Sequence, residues 1–213
     1  MPEEMAAFFA ARLSGYEEHM LQCIACAREF YPETARLLPL RPGAHLLDLG
    51  CGTGLELDEI FRLCPNIRVT GIDLCAPMLD VLRKKPYADR LHLIEGDYFD
   101  LPFGKCRFDG AVSVESLHHF APDKKLALYQ KLRSSLKDGA VYVETDYAAA
   151  DEQEEHFYFS EYKKYSGQAE PGKFHYDTPL TAEHTVALLK KAGFSCVKLH
   201  RKYENTALIM ARK

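Results

Sequence analysis

His45-Leu46-Leu47-Asp48-Leu49-Gly50-Cys51-Gly52-Thr53-Gly54 is an apolar run that stops on three glycines spaced every second residue. The run predicts a buried strand, and glycine is favoured where backbone must take positive φ or approach a ligand closely. Leu57, Ile60, Phe61 and Cys64 follow at i, i+3, i+4 and i+7, with Glu56, Asp58 and Glu59 in the first turn, where the helix dipole favours acids. The stretch is therefore expected to be a strand feeding a ligand-cradling turn that opens a helix.

Downstream the same unit repeats in outline. Pro65-Asn66 ends the first helix; Ile67 to Ile72 reads as a second strand running into Asp73, and Pro77 opens a helix closing on Arg83, Lys84 and Lys85. Leu91 to Ile94 predicts a third strand ending at Glu95-Gly96-Asp97-Tyr98. Phe108 to Val114 predicts a fourth, ending at Glu115-Ser116-Leu117-His118-His119. A helix over about Asp123 to Leu136 precedes a fifth strand, Ala140 to Val143, which ends at Glu144-Thr145-Asp146-Tyr147. Strict β/α alternation predicts an α/β fold with a doubly wound parallel sheet, whose ligands sit beyond the carboxyl ends of the strands.

Flanking segments break the alternation. Before the core, Phe8, Phe9, Leu13, Tyr16, Met20, Ile24 and Phe30 fall at largely helical spacing, which predicts a cap of two helices broken near Ser14-Gly15. After it, Ala148 to Pro179 reads as an aromatic-rich insertion with Phe157, Tyr158, Phe159, Tyr162, Tyr165, Phe174 and Tyr176. Thr181 is expected to cap a helix ending at Lys190-Lys191-Ala192-Gly193. Phe194 to Leu199 and Thr206 to Met210 then predict an antiparallel closing pair.

Bulk composition narrows the partners. A chain of 213 residues with 47% hydrophobic content can bury one sizeable core. The net charge of -4 offers no overall attraction to polyanions, so neither nucleic acid nor an anionic membrane is an expected partner. Met1-Pro2-Glu3-Glu4 is acidic where a secretory signal needs positive charge, and no apolar run approaches a membrane span, so a soluble cytoplasmic protein is expected. Seven cysteines, an odd number, argue for a reducing compartment rather than a disulfide framework. Cys23-Ile24-Ala25-Cys26, with His19 one helical turn earlier, lacks a second ligand pair, and no metal site is expected.

Glycines 50, 52 and 54 followed by Asp73 form a general nucleotide-binding arrangement, and the GxGxG spacing departs from the GxGxxG of dinucleotide sites. The run Leu47 to Gly54 resembles the first motif of class I S-adenosylmethionine-dependent methyltransferases, of the small-molecule, UbiE-like type. Gly71-Ile72-Asp73, Glu95-Gly96-Asp97-Tyr98, Phe108 to Val112 and Leu136-Lys137-Asp138-Gly139-Ala140 resemble that family's later motifs, so the likeness covers about residues 41 to 147. It implies a Rossmann-like sheet of seven strands, mostly parallel with an antiparallel last strand, plus the helical cap. It also implies a single methyltransferase domain over 1–213: cap 1–40, cofactor-binding core 41–147, substrate-covering insertion 148–180, and final helix with β-hairpin 181–213.

The resemblance further implies S-adenosylmethionine as methyl donor, with S-adenosylhomocysteine as product, and places cofactor contacts along these motifs. They are Asp48, Gly50, Cys51, Gly52, Thr53 and Gly54 at the turn, Asp73, Leu74 and Met78 after the second strand, and Gly96, Asp97 and Tyr98 after the third. Asp73 would accept the ribose hydroxyls, Asp97 the adenine amino group, and Asp48 would sit near the ammonium. Tyr16 and His19, one turn apart on the cap, could close over the cofactor.

In-line methyl transfer mainly requires alignment and exclusion of water, with proton removal for some acceptors. His119, His118 and Glu115 after the fourth strand are the candidate catalytic groups, Glu115 also being a cofactor contact. Asp146, Tyr147, His175 and Tyr176 are expected to line the acceptor pocket, where several rings favour a planar or apolar molecule. The expected partner is a small-molecule acceptor, in a monomer or homodimer. The alternatives are methylation of RNA or protein, for which Lys124, Lys125, Lys131 and Arg133 offer a local basic face, and a cofactor-binding module without turnover.

Overall fold

The computed structural model describes residues 4–166 and 175–213; of the aromatic insertion, Phe174 and the side chain of Tyr165 lie outside the described residues. Its centre is one seven-stranded sheet in the order β3-β2-β1-β4-β5-β7-β6. The strands are β1 (His45–Leu49), β2 (Arg68–Asp73), β3 (Leu91–Glu95), β4 (Phe108–Val114), β5 (Leu136–Tyr147), β6 (Cys196–Tyr203) and β7 (Thr206–Arg212). β1 to β5 pair in parallel, while β7 inserts antiparallel between β5 and β6. The expected mixed sheet is thus present, with the closing hairpin folded back so that its second strand meets the core.

β1 lies between β2 and β4, so the chain reverses its winding there, and the loops after β1 and β4 open side by side above the sheet. Leu46, Leu47 and Leu49 are fully buried, because helices cover both sheet faces. One core layer joins Leu46, Leu57, Ile60 and Leu79; the other joins Leu47, Leu49, Leu128, Tyr129 and Leu132. The helical pattern after the glycines forms α4 (Leu55–Leu63), as its periodicity predicts.

Three local expectations change. The cap has three helices, α1 (Met5–Arg12), α2 (Tyr16–Cys23) and α3 (Ala27–Leu37), because Cys26 takes the left-handed conformation and breaks the second predicted helix. Cys23 and Cys26 therefore sit on opposite sides of a helix break, both as free thiols. β5 begins and ends four residues beyond its predicted limits on each side, since pairing with both β4 and β7 extends the ladder past the apolar run. The insertion holds a 15-residue helix, α7 (Glu152–Ser166), which local aromatic composition did not reveal. Glu56, in the first turn as expected, is buried, 5% exposed and beside Asp48 of β1.

α5 (Ala76–Leu82), α6 (Pro122–Ser135) and α8 (Ala182–Lys191) occupy the predicted places, and Thr181 caps α8 by accepting from the His184 amide at 3.2 Å. Glu155 of α7 accepts from the Thr181 amide and pairs with His184, which ties the insertion to α8. No described helix is long and apolar enough to cross a membrane.

Candidate active site

The glycine turn is shaped by contacts that leave no room for side chains. Gly50 has φ +75°, and a Cβ there would lie 2.1 Å from Ser116 Oγ, so the β1 turn and the loop after β4 touch backbone to side chain. Gly54, at φ +83°, starts α4, where a Cβ would meet Leu82 at 2.6 Å. Asp73, at the end of β2, accepts from the Gly52 amide through Oδ2 and from the Cys75 amide through Oδ1, both at 2.8 Å. One carboxylate therefore sets the turn that it also faces.

A cavity of about 60 Å³, or about 550 Å³ with its open mouth, opens above this turn. Among the expected cofactor contacts, Gly50, Gly52, Asp73, Leu74, Met78, Tyr98, Tyr16 and Glu115 line it. Ser116, bonded to the Tyr98 hydroxyl at 3.1 Å, and Phe9 and Met5 of α1 line it as well. Those three were not legible, because a loop serine and two apolar helix residues carry no motif.

Other expected contacts lie outside that lining. Cys51 is buried beneath the turn with its sulfur against Gly71, and Gly54 is covered by Leu82 and Tyr87. Gly96 packs against Leu101, and Asp97 Oδ1 accepts from the Phe99 amide at 2.7 Å, which closes its own turn. Asp48 and Thr53 are buried under the turn.

Beneath the turn, polar groups are left unmatched. Both oxygens of Asp48, Oε1 of Glu56 and Oγ1 of Thr53 have no hydrogen-bond partner among the described residues. Burial, partly opposed by contact with Glu56, pushes the Asp48 carboxyl up to about 7, and burial beside Asp48 raises Glu56 further. Buried, unpartnered carboxylates of this kind are costly unless a cation or donor joins them.

A second cavity, about 1390 Å³ with its open mouth, adjoins the first. Phe9, Tyr16, Glu115 and His119 line both and form the seam between them. His118, Tyr147, His175, His19 and Asp177 face the second cavity. Its rings come chiefly from the cap: Phe8 stacks on His175 with centroids 3.4 Å apart, and Phe9 meets His119 edge-on. Two residues expected to line the acceptor pocket do not: Tyr176 packs on Tyr162, and Asp146 is buried behind the wall.

Asp146 instead holds the histidine loop. Its Oδ1 lies 2.6 Å from His118 Nδ1 and its Oδ2 accepts from the Leu117 amide at 2.9 Å. Burial lowers the affinity of His118 for its proton, but Asp146, with Asp177 and Glu115 behind it, more than offsets this and raises it to about 9. His119, buried beside charged His118, is pushed down to about 4. Two adjacent imidazoles thus differ in charge at neutral pH. Glu115 takes a left-handed φ of 47°, its Oε1 accepting from Thr206 of β7, and burial raises its carboxyl.

With this geometry in hand, comparison with known proteins finds that residues 46–139 match the family described as methyltransferase domain. Over that segment the chain resembles the class I methyltransferases. The methyltransferase core is 38% identical over 115 residues to the O-methyltransferase cnsE of Penicillium expansum, covering 52% of this chain and 40% of that one. A carboxy-S-adenosyl-L-methionine synthase of Wolinella succinogenes is 28% identical over 96% of this chain and 92% of its own. The fold matches an O-methyltransferase family 2 protein from Planctomyces limnophilus, solved with apigenin, at TM-score 0.70 and 19% identity, over 98% of this chain and 62% of that one. The chain spans less than half the length of several curated relatives that it matches.

The site fits the cofactor of that family, S-adenosylmethionine. The fit rests on the unpartnered Asp48 oxygens beneath the turn, which suit an ammonium, and on the glycine turn, where a Cβ would find no room.

Proposed function

We propose that this protein transfers a methyl group from S-adenosylmethionine to a small-molecule acceptor, as one soluble cytoplasmic domain comprising the cap, core, insertion and closing hairpin. The observation that carries the reading is the pair of cavities meeting at Phe9, Tyr16, Glu115 and His119. A donor on one side and an acceptor on the other would face each other across that seam, away from bulk water. When bound, S-adenosylmethionine supplies an activated methyl group on a sulfonium.

In this reading Asp48 takes the ammonium, Asp73 the ribose hydroxyls, and the Gly50 to Gly52 backbone the methionine part, while Met78 and Leu74 flank the adenosine. Tyr16, whose hydroxyl stays protonated through burial and the nearby acids Glu56, Asp73 and Glu115, closes the cap over the seam. Asp97 serves its own turn, and an adenine contact would use its other oxygen. His118, fixed by Asp146, orients the loop, and neutral His119 stands at the seam with its Nδ1 beside Asp177. Cap aromatics favour an acceptor with a planar or apolar part.

The Wolinella relative raises carboxylation of the cofactor as a second chemistry, since its likeness runs along nearly the whole chain. The matches of higher identity over the core are to methyltransferases, and the described residues lining the cofactor cavity itself include no Lys or Arg. Methyl transfer is therefore the reading retained. Calorimetry with S-adenosylmethionine, followed by mass spectrometry of products from a panel of phenols, quinols and amines, tests it. Binding together with a product heavier by one methyl group is expected; preference for a nicotinamide dinucleotide would overturn it.

A further inference from the structure

Three ligating atoms converge in the acceptor cavity. His118 Nε2 and His119 Nδ1 lie 3.7 and 3.1 Å from the same oxygen, Oδ1 of Asp177, and one atom from each residue falls within a 4.8 Å span. His118 and His119 are 7% and 4% exposed. Although close, His119 Nδ1 and Asp177 Oδ1 have no hydrogen-bond partner among the described residues. We propose that His118, His119 and Asp177 bind a first-row divalent metal ion at the seam between the two cavities, where it holds an oxygen or sulfur atom of the acceptor.

The surrounding contacts point the same way. Asp146 already receives the Leu117 and Tyr147 amides and can only accept, so His118 donates from Nδ1 and turns Nε2 toward Asp177. A buried carboxylate behind a ligating histidine, fixing its tautomer and ring plane, is the usual outer support of a metal-bound imidazole. Metal bonds of about 2.0–2.2 Å require ligand atoms roughly 3–3.5 Å apart, so the two measured separations need only small adjustment. Three carboxylates, Asp146, Asp177 and Glu115, surround the imidazole pair, and a dication offsets that charge. Two nitrogens and one carboxylate oxygen, with positions open to the cavity, suit manganese, iron, cobalt or zinc better than magnesium or calcium. The composition gave no hint of this because Asp177 is remote in sequence and joins His118 and His119 only through the fold.

The inference deepens the proposed methyl transfer and rests on it for its purpose, so the test separates the two. Metal-depleted protein would be titrated with Co²⁺ and Mn²⁺ by calorimetry and visible absorption, and separately with S-adenosylmethionine. One ion per chain is expected, with an oxygen- and nitrogen-ligand Co²⁺ spectrum. Asp177→Asn and His118→Gln should weaken binding at least 10-fold while cofactor affinity stays within about 2-fold. Thermal melts identify any variant that fails to fold, and the other variant then carries the comparison. Equal metal affinity in wild type and the folded variants, no bound ion, or a thiolate absorption band implicating exposed Cys23 or Cys106 would overturn the metal site. Cofactor binding without metal binding would sink only this inference; failure of wild type to bind the cofactor both with and without added metal would sink the methyltransferase reading.

Discussion

The two cavities that meet at Glu115 and His119 are built in opposite ways. The floor of the donor side is made from two neighbouring strand ends, with Asp73 only 21 positions from the Gly52 amide it accepts from, and the cap and the loop after β4 wall it. The acceptor side draws Phe8 and Phe9 from α1, the histidines from the loop after β4, Asp177 from the connection before α8, and Thr206 from β7. Backbone shape rules the first, and side-chain convergence rules the second. A cofactor site can therefore stay constant while the acceptor site changes with the segments that surround it.

The comparison breaks first at Gly50. Gly50→Ala should reduce S-adenosylmethionine affinity by at least 100-fold and cost about 1–3 kcal/mol of stability, because both positive φ and the Ser116 contact forbid a Cβ. Calorimetry and thermal unfolding measure both. Asp73→Ala should follow, weakening the cofactor by about 10- to 100-fold, since hydrogen bonds to a charged group contribute roughly 1.5–3 kcal/mol each. Unchanged affinity in a folded variant would remove Asp73 from the ribose contact.

Asp146→Asn tests the other side. It should lower turnover of the acceptor found in the panel by about 10-fold or more while leaving the cofactor dissociation constant nearly unchanged, because it releases His118 and not the glycine turn. A parallel loss of cofactor affinity would mean that the two halves are not separable.

The smallest expected effect is a pH dependence of the cofactor-free protein. Asp48 has a folded value of about 7, raised first by burial, so the unfolded chain releases this proton at lower pH than the folded one. Stability should be full near pH 4 and fall as pH rises toward 7 and beyond, by a few kcal/mol at most. Saturating S-adenosylmethionine, whose ammonium Asp48 would meet, should flatten that slope. Melting temperatures at pH 5 and pH 8 with and without the cofactor check it, and Asp48→Asn should reduce the difference, the remainder coming from Glu56, Glu115 and His118.

Much of the donor side is legible in the amino-acid sequence. The apolar run, the glycine spacing and Asp73 are local, and their chemistry follows from short-range backbone geometry, so β1, α4 and β2 lie where periodicity puts them. Glu56 escapes that logic. An acid in the first turn of a helix satisfies the dipole equally well facing water or facing Asp48, and only the packing of α4 on the sheet chooses the buried side. Asp97 shows the converse: its turn-closing bond is local, yet no spacing rule distinguishes it from a ligand contact.

The acceptor side is legible only as a set of candidates. His118, His119, Tyr147 and His175 are recognisable as polar or aromatic groups near strand ends or in the insertion, but Tyr176 and Asp146 look equally eligible and face elsewhere. By itself the sequence determined the sheet and the turn, because hydrophobic period and glycine conformation act over a few residues; the cofactor class followed from the resemblance of those motifs to a known family. Tertiary structure alone decided which of two adjacent histidines stays neutral, that Asp177 meets them both, and that the cap's phenylalanines wall the cavity. Those outcomes depend on distances between segments up to about 170 positions apart, which no local pattern encodes.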